Sequence, residues 1–309
     1  MRDPSSSSAT PPPRALLAGA SGQIGRRVLA RLLADGWQVT ALSRQQHPAQ
    51  AGVAWRQAAL PDAGPGQGFD AVLSCGPLDL FSQWYAATAT GRARVVAFGS
   101  TSVHVKGDSP DPHERDLARR LGQAEARLAQ AARERGAAVA VLRPTLVYGA
   151  GLDRNLSRIV ALARRYGGVA LPHDARGLRQ PVHVDDLADA ALAALALPGT
   201  GDGRARGYDL PGGETLDYRQ MVARVLATLA PPRRLWILPG PVFAMAAASA
   251  RLLGLHDAGA AVLARLRQDL VFDDAPARRD LGYAARPFQP TAAMFQPPLQ
   301  EPALPATCR

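Results

Sequence analysis

Ala15-Leu16-Leu17-Ala18-Gly19-Ala20-Ser21-Gly22-Gln23-Ile24-Gly25 runs from four apolar residues into three glycines spaced three apart, and helical spacing follows from Ile24 to Ala34. Glycine permits a tight turn after a strand and lets the backbone approach a pyrophosphate, whose charge the amino terminus of the next helix stabilises. Gly19, Ser21, Gly22, Gln23, Ile24 and Gly25 therefore form the candidate cradle of a dinucleotide. Three glycines alone are a weak signal, and the strand before and helix after them make it specific.

Working outward, further short apolar runs occur at Gln38 to Leu42, Ala71 to Ser74, Val95 to Phe98 and Val139 to Leu142, with helical patterns such as Asp116 to Arg135 between them. This is the βαβ rhythm of a parallel sheet covered on both faces. The rhythm changes after Gly149. Helical stretches are expected at Asn155 to Tyr166, Val184 to Leu197, Asp217 to Leu229 and Val242 to Leu266, with a strand at Gly207 to Leu210 and a Pro-rich tail lacking periodicity. The fold class expected is α/β: a Rossmann-like, doubly wound parallel sheet with a smaller C-terminal substrate lobe. Residues 14–150 form the dinucleotide domain, to which 181–210 return. Residues 151–180 and 211–295 form the lobe, with a disordered leader over 1–13 and a flexible tail over 296–309.

Composition narrows the function classes. Hydrophobic residues make up 47% and charged residues 20% of the chain, ordinary for a folded globular protein. The net charge of +10 would suit a nucleic-acid binder. The arginine pairs, from Arg26-Arg27 to Arg278-Arg279, are however scattered along the chain without interleaved aromatics, so nucleic acid is not an expected partner. Cys75 and Cys308 are the two cysteines, which argues against a disulfide framework and for a reducing, cytoplasmic setting. The most membrane-like stretch, Leu235 to Leu255, is broken by Pro239-Gly240-Pro241 and Arg251 and reads as a buried or amphipathic helix. No integral membrane segment and no metal site are expected.

Cofactor preference is read from the second strand. An NAD-preferring fold commonly ends that strand with an acid on the ribose hydroxyl, whereas here it ends Ala41-Leu42-Ser43-Arg44. Arg44, joined by Arg26, is suited to a 2′-phosphate, so NADP(H) is expected over NAD(H).

Three further motifs carry a resemblance. Phe98-Gly99-Ser100-Thr101-Ser102-Val103, Arg143-Pro144-Thr145-Leu146-Val147-Tyr148-Gly149 and Arg179-Gln180-Pro181-Val182-His183-Val184-Asp185-Asp186-Leu187-Ala188 join the glycine motif. Over residues 14 to 290 the sequence resembles the extended short-chain dehydrogenase/reductases, the group of nucleotide-sugar epimerases and dehydratases. The resemblance implies Ser100 as the active-site hydroxyl and Pro144 at the cofactor. It places Arg179 where such proteins hold a substrate diphosphate, with an ion pair to Asp185 or Asp186 as the other reading. Arg143 and Arg179 would supply positive charge for an anionic small-molecule substrate, of which a nucleotide-sugar is one candidate. His183 is expected to be structural, and Asp186 to cap the helix after it.

The resembled family uses Tyr-x-x-x-Lys, in which lysine lowers the tyrosine pKa while tyrosine exchanges a proton with the substrate. Lys106 is the only lysine and Ser102 stands four residues before it, so the chain contains no such pair. Anchoring the usual helix on Glu125 puts Leu117 and Leu121 at the two positions. His104, Lys106 and His113 are candidate substitutes. His104 is preferred, because an imidazole titrates near neutral pH and this one follows Ser100 closely. Two functions stay open: an atypical NADP(H)-dependent oxidoreductase or epimerase, and a noncatalytic NADP(H)-binding sensor, assembly factor or accessory subunit. A homodimer is compatible with either, and an attachment to a membrane surface through Val242 to Leu255 is the third option.

Overall fold

A computed structural model describes residues 11–64, 66–88, 91–153, 155–198, 203–243, 245 and 265–296. Most of the expected leader and tail, and of the expected helix from Val242 to Leu266, lies outside these residues.

The chain opens with β1 (Arg14–Ala18), α1 (Gln23–Ala34), β2 (Gln38–Ser43), β3 (Val53–Gln57), β4 (Ala71–Ser74), α2 (Leu78–Ala87) and β5 (Arg94–Phe98). It continues through α3 (Ser102–Val105), α4 (Pro112–Arg135), β6 (Val139–Pro144), β7 (Val147–Tyr148), α5 (Leu156–Tyr166), β8 (Gly168–Pro172), β9 (Leu178–Arg179) and β10 (Val182–His183). Then come α6 (Val184–Ala196), β11 (Ala205–Leu210), β12 (Leu216–Asp217), α7 (Tyr218–Ala227), β13 (Arg234–Leu238) and α8 (Ala275–Leu281).

Seven strands form one parallel sheet in the order β11-β6-β5-β4-β1-β2-β3. Chain order reverses between β1 and β4, and the crevice at that switch point is where an open α/β sheet binds ligands. The inner strands β1, β4 and β5 read as largely apolar runs because both faces are covered. Ala15 and Leu17 face a core shared with α1, α6 and α8, while Leu16 and Ala18 face α2 and α4. A third core joins α5, α7, Leu171, Phe288 and Phe295 in the second lobe.

α4 shows why its sequence is helical. Asp111 accepts the His113 N–H at the amino end, Pro112 fits the first turn, and Gly136 closes the helix at φ +61°. Its buried stripe is largely alanine, with Leu121 and Leu128, which brings it close to the sheet.

Two expectations are corrected. Arg234–Leu238, the start of the stretch expected to be helical, is a strand pairing in parallel with β8. Pro231-Pro232 before it and Pro239-Gly240 after it leave room only for a short element, and aromatic and β-branched residues favour an extended one. The tail expected to lack periodicity contains α8, with Pro276 in its first turn and Gly282 at φ +63° as terminator. Among the described residues no helix is long and apolar enough to cross a membrane.

Candidate functional site

The glycine loop is built for close backbone approach. Gly19 has φ +74°, and a Cβ there would stand 2.9 Å from the backbone of Cys75 and Gly76 at the end of β4. A Cβ on Gly25 would lie 2.0 Å from the carbonyl oxygen of Gly19, so only glycine lets α1 start this near the turn. Gly22 is the N-cap of α1 and supplies no side-chain cap, and no acid occupies the first turn. The first-turn N–H groups thus face the loop with the positive end of the helix dipole behind them, which fits a pyrophosphate. Gln23 Oε1 is buried beside them without a hydrogen-bond partner.

The end of β2 carries hydroxyls where an acid would read a ribose. Ser43 Oγ is buried and lies 3.3 Å from Ser21 Oγ of the glycine loop and 2.9 Å from His47 Nε2. His47 stacks on Trp55 of β3 with centroids 4.0 Å apart. Arg44 and Arg26 are both exposed, and Arg26 Nε donates to the carbonyl of Ser21 at 2.9 Å, bracing the loop from its outer side. Of the two arginines considered for a 2′-phosphate, Arg44 is the one that faces solvent without such a bond.

At the carboxyl ends of β4 and β5 a cavity of about 250 Å³ is lined by Gly76, Pro77, Phe98, Gly99, Leu117 and Leu121, with the Asp79–Arg120 ion pair (2.8 Å) at its edge. The two leucines placed by the Glu125 register therefore line a cavity beside the ends of β4 and β5. Ser100 follows β5, and its hydroxyl donates to Ser102 Oγ at 3.1 Å. The partner of His104 is a different residue: Nε2 lies 3.0 Å from Asp209 Oδ1, with the ring 40% exposed and 6.2 Å from that of Phe272. Lys106 is taken up by an ion pair with Glu114 (3.2 Å), and His113 is exposed at the amino end of α4.

Arg143 is committed inside the protein. Nε and Nη2 donate to the two oxygens of Glu125 at 2.8 and 2.6 Å, and Nη1 stands 3.4 Å from Asp209 Oδ1. The Glu125 hydrogen bonds raise its pKa further above the arginine range. Pro144 follows it, buried, with its carbonyl accepting from Thr101 Oγ1 at 3.3 Å. Arg179 pairs with neither Asp185 nor Asp186. Its guanidinium is 5% exposed and donates to the carbonyls of Leu178 and Gln268, both at 2.7 Å, and of Arg265, and lies over the Tyr218 ring. Burial pulls its pKa down.

The cap expected from Asp186 is supplied by His183. His183 Nδ1 accepts the Asp185 N–H at 3.2 Å at the start of α6, while Asp186 takes the backbone N–H and Nε of Arg286 at 3.1 and 2.7 Å. Tyr148 packs edge-on against His183, and burial pushes its phenol up to about 12.

A family model for the NAD dependent epimerase/dehydratase family matches residues 15–77 and 76–205, well over half the chain. The chain belongs to that family. A UDP-glucose 4-epimerase of Vibrio cholerae is 24% identical over 223 residues, which cover 69% of this chain and 63% of that enzyme. The chain thus spans less than two thirds of the relative's length. Among solved structures, the NAD-dependent NDP-hexosamine 5,6-dehydratase TunA superimposes with a TM-score of 0.66 at 17% identity, covering 91% of this chain and 96% of that one. MoeE5, in complex with UDP-glucose and NAD, gives 0.61 at 19% identity, covering 89% and 94%. At these identities the structures share the fold.

Seen as an epimerase/dehydratase fold, the site gains residues that the sequence did not single out. Asp209 was missed because the residues it contacts, His104 and Arg143, lie far away in the chain, and Ser43 because nothing in its own sequence surroundings marks its contacts with Ser21 and His47. A hydrophilic residue between the buried Tyr208 and Leu210 was the available sign of Asp209.

Proposed function

We propose that this chain is an NADP(H)-dependent epimerase or oxidoreductase acting on an anionic, nucleotide-linked sugar, with His104 as the acid/base and Ser100 as the hydroxyl that orients the reacting oxygen. The observation that carries the reading is a solvent-facing imidazole bonded to a carboxylate at the carboxyl edge of the sheet that also carries the glycine loop. Gly19, Ser21, Gly22, Gln23, Ile24 and Gly25 would hold the pyrophosphate, with Pro144 near the nicotinamide end. Ser21, Ser43 and the exposed Arg44 support a 2′-phosphate, which a carboxylate at that place would repel. When bound, the cofactor supplies hydride transfer. His104 would take or return the substrate's proton, and the second-lobe segment around Phe272 would limit water at the ring.

One observation favours a second reading. Leu117 and Leu121 line the cavity where an acid/base pair would act, which suits a protein that binds NADP(H) without turning it over. Single-turnover absorbance at 340 nm, with NADP⁺ or NADPH and a panel of UDP-sugars and simple carbonyls, separates the two. Cofactor reduction or oxidation that His104→Gln slows by about 10²- to 10⁴-fold is expected for the enzyme. Tight binding with a flat trace across the panel would replace the enzyme by the noncatalytic reading.

A further inference from the structure

We propose that Asp209 is the positioning residue of this site: it fixes the tautomer and aim of His104, and Arg143, clamped by Glu125, holds Asp209 in place. The inference rests on the reading of His104 as the acid/base.

Asp209 and Arg143 are register partners on the adjacent parallel strands β11 and β6. Gly207, two residues before Asp209 and on the same face, leaves room for the guanidinium to lie across the strand. A Cβ at that position would come within 2.5 Å of Arg143 Nη2. The fork is fixed from behind by both oxygens of Glu125 on α4, at 2.8 and 2.6 Å. Bidentate arginine–carboxylate pairs set a plane as well as a charge. That plane brings Nη1 to 3.4 Å from Asp209 Oδ1, the same oxygen that His104 Nε2 meets at 3.0 Å.

A carboxylate oxygen only accepts, so the Nε2 facing it carries the hydrogen. A neutral imidazole has one N–H, which leaves Nδ1 as the bare acceptor. In the oxidative direction the substrate hydroxyl would give its proton to Nδ1, the cofactor, when bound, supplying the acceptor for the hydride. The ring then holds both protons, with Nε2–H still on Asp209, and the reverse step returns the Nδ1 proton to the substrate oxygen. The groups facing the ring are Asp209 from β11, Arg143 behind it from β6, and the uncharged ring of Phe272 from the second lobe. Arg143, expected from the sequence to touch substrate, serves the site through Asp209.

The test is a long-range ¹H–¹⁵N correlation on the full-length chain labelled with ¹⁵N-histidine, at pH 8, with His104→Gln used to assign the signal. Wild type is expected to show a protonated Nε2 and a bare Nδ1, a reading that needs no variant to fold. Asp209→Asn, whose amide can donate to Nε2, is expected to mix or invert the tautomer while the Kd for NADPH stays unchanged. On a UDP-sugar that turns over, the same variant is expected to lower kcat by about 10²- to 10⁴-fold with little change in KM. A protonated Nδ1 in wild type, or an unchanged tautomer in Asp209→Asn, would overturn the proposal. So would a full kcat despite a shifted tautomer. A full rate in His104→Gln would instead remove His104 from the proposed chemistry, and the tautomer measurement would still decide whether Asp209 sets the ring.

Discussion

Ser43 and Arg44 divide the end of β2 between them. Ser43 turns inward to Ser21 and His47, and Arg44 faces solvent. A carboxylate at this place would accept from the ribose hydroxyls of NAD(H) and repel a 2′-phosphate, whereas a guanidinium and two hydroxyls do the opposite. Arg44→Ala is accordingly expected to weaken NADPH by about tenfold to hundredfold, the span of one charge-assisted hydrogen bond, and to leave NADH nearly unchanged. Isothermal titration with each cofactor checks this, and equal losses for both would show that Arg44 does not read the phosphate. Glycine roles were legible at this scale because a Cβ clash is local: Gly25 against Gly19 follows from their spacing and the turn. The fate of Arg143 was not, because the sequence shows a basic residue but not that Glu125 and Asp209 engage three of its nitrogens.

At the scale of elements, the start of α6 ties a helix cap to a titration. His183 is buried, its Nδ1 accepts from the backbone, and desolvation lowers its pKa below the usual imidazole value of about 6.5. The unfolded chain therefore binds a proton near and below that pH that the folded chain refuses, so the contribution to stability is whole above it and is lost as pH falls. Melting temperature is expected to drop from pH 7 to pH 5, and His183→Asn, which keeps a capping oxygen but cannot titrate, should flatten that drop. An identical slope in the variant would show that acid lability arises elsewhere.

Long elements with strong periodicity were readable: α1 and α4 lie where the spacing places them, and the strands buried on both faces announce themselves as apolar runs. The edge strand β3 was not, since its half-exposed Val53-Ala54-Trp55-Arg56-Gln57 has no continuous apolar run. β13 and α8 were missed for a related reason, their short patterns being masked by flanking prolines.

For the whole molecule, the parallel sheet collects at one edge what the chain holds far apart. The glycine loop comes from the first crossover, Ser100 and His104 follow β5, and Asp209 lies in the last strand added to the sheet, 105 residues beyond His104. Parallel order aligns all of these at the carboxyl ends, and right-handed crossovers place α4 with Glu125 behind β6 and β11. The sequence showed the sheet and its nucleotide loop. It could not show the pairing of His104 with Asp209, which depends on β11 returning beside β6. Both proposed functions depend on the dinucleotide site. Titration of the purified full-length chain with NADPH and with NADH, followed by calorimetry, tests it most directly. Saturable binding of one NADPH per chain is expected, tighter than NADH and abolished by a side chain at Gly25. Absence of binding by both cofactors would contradict it.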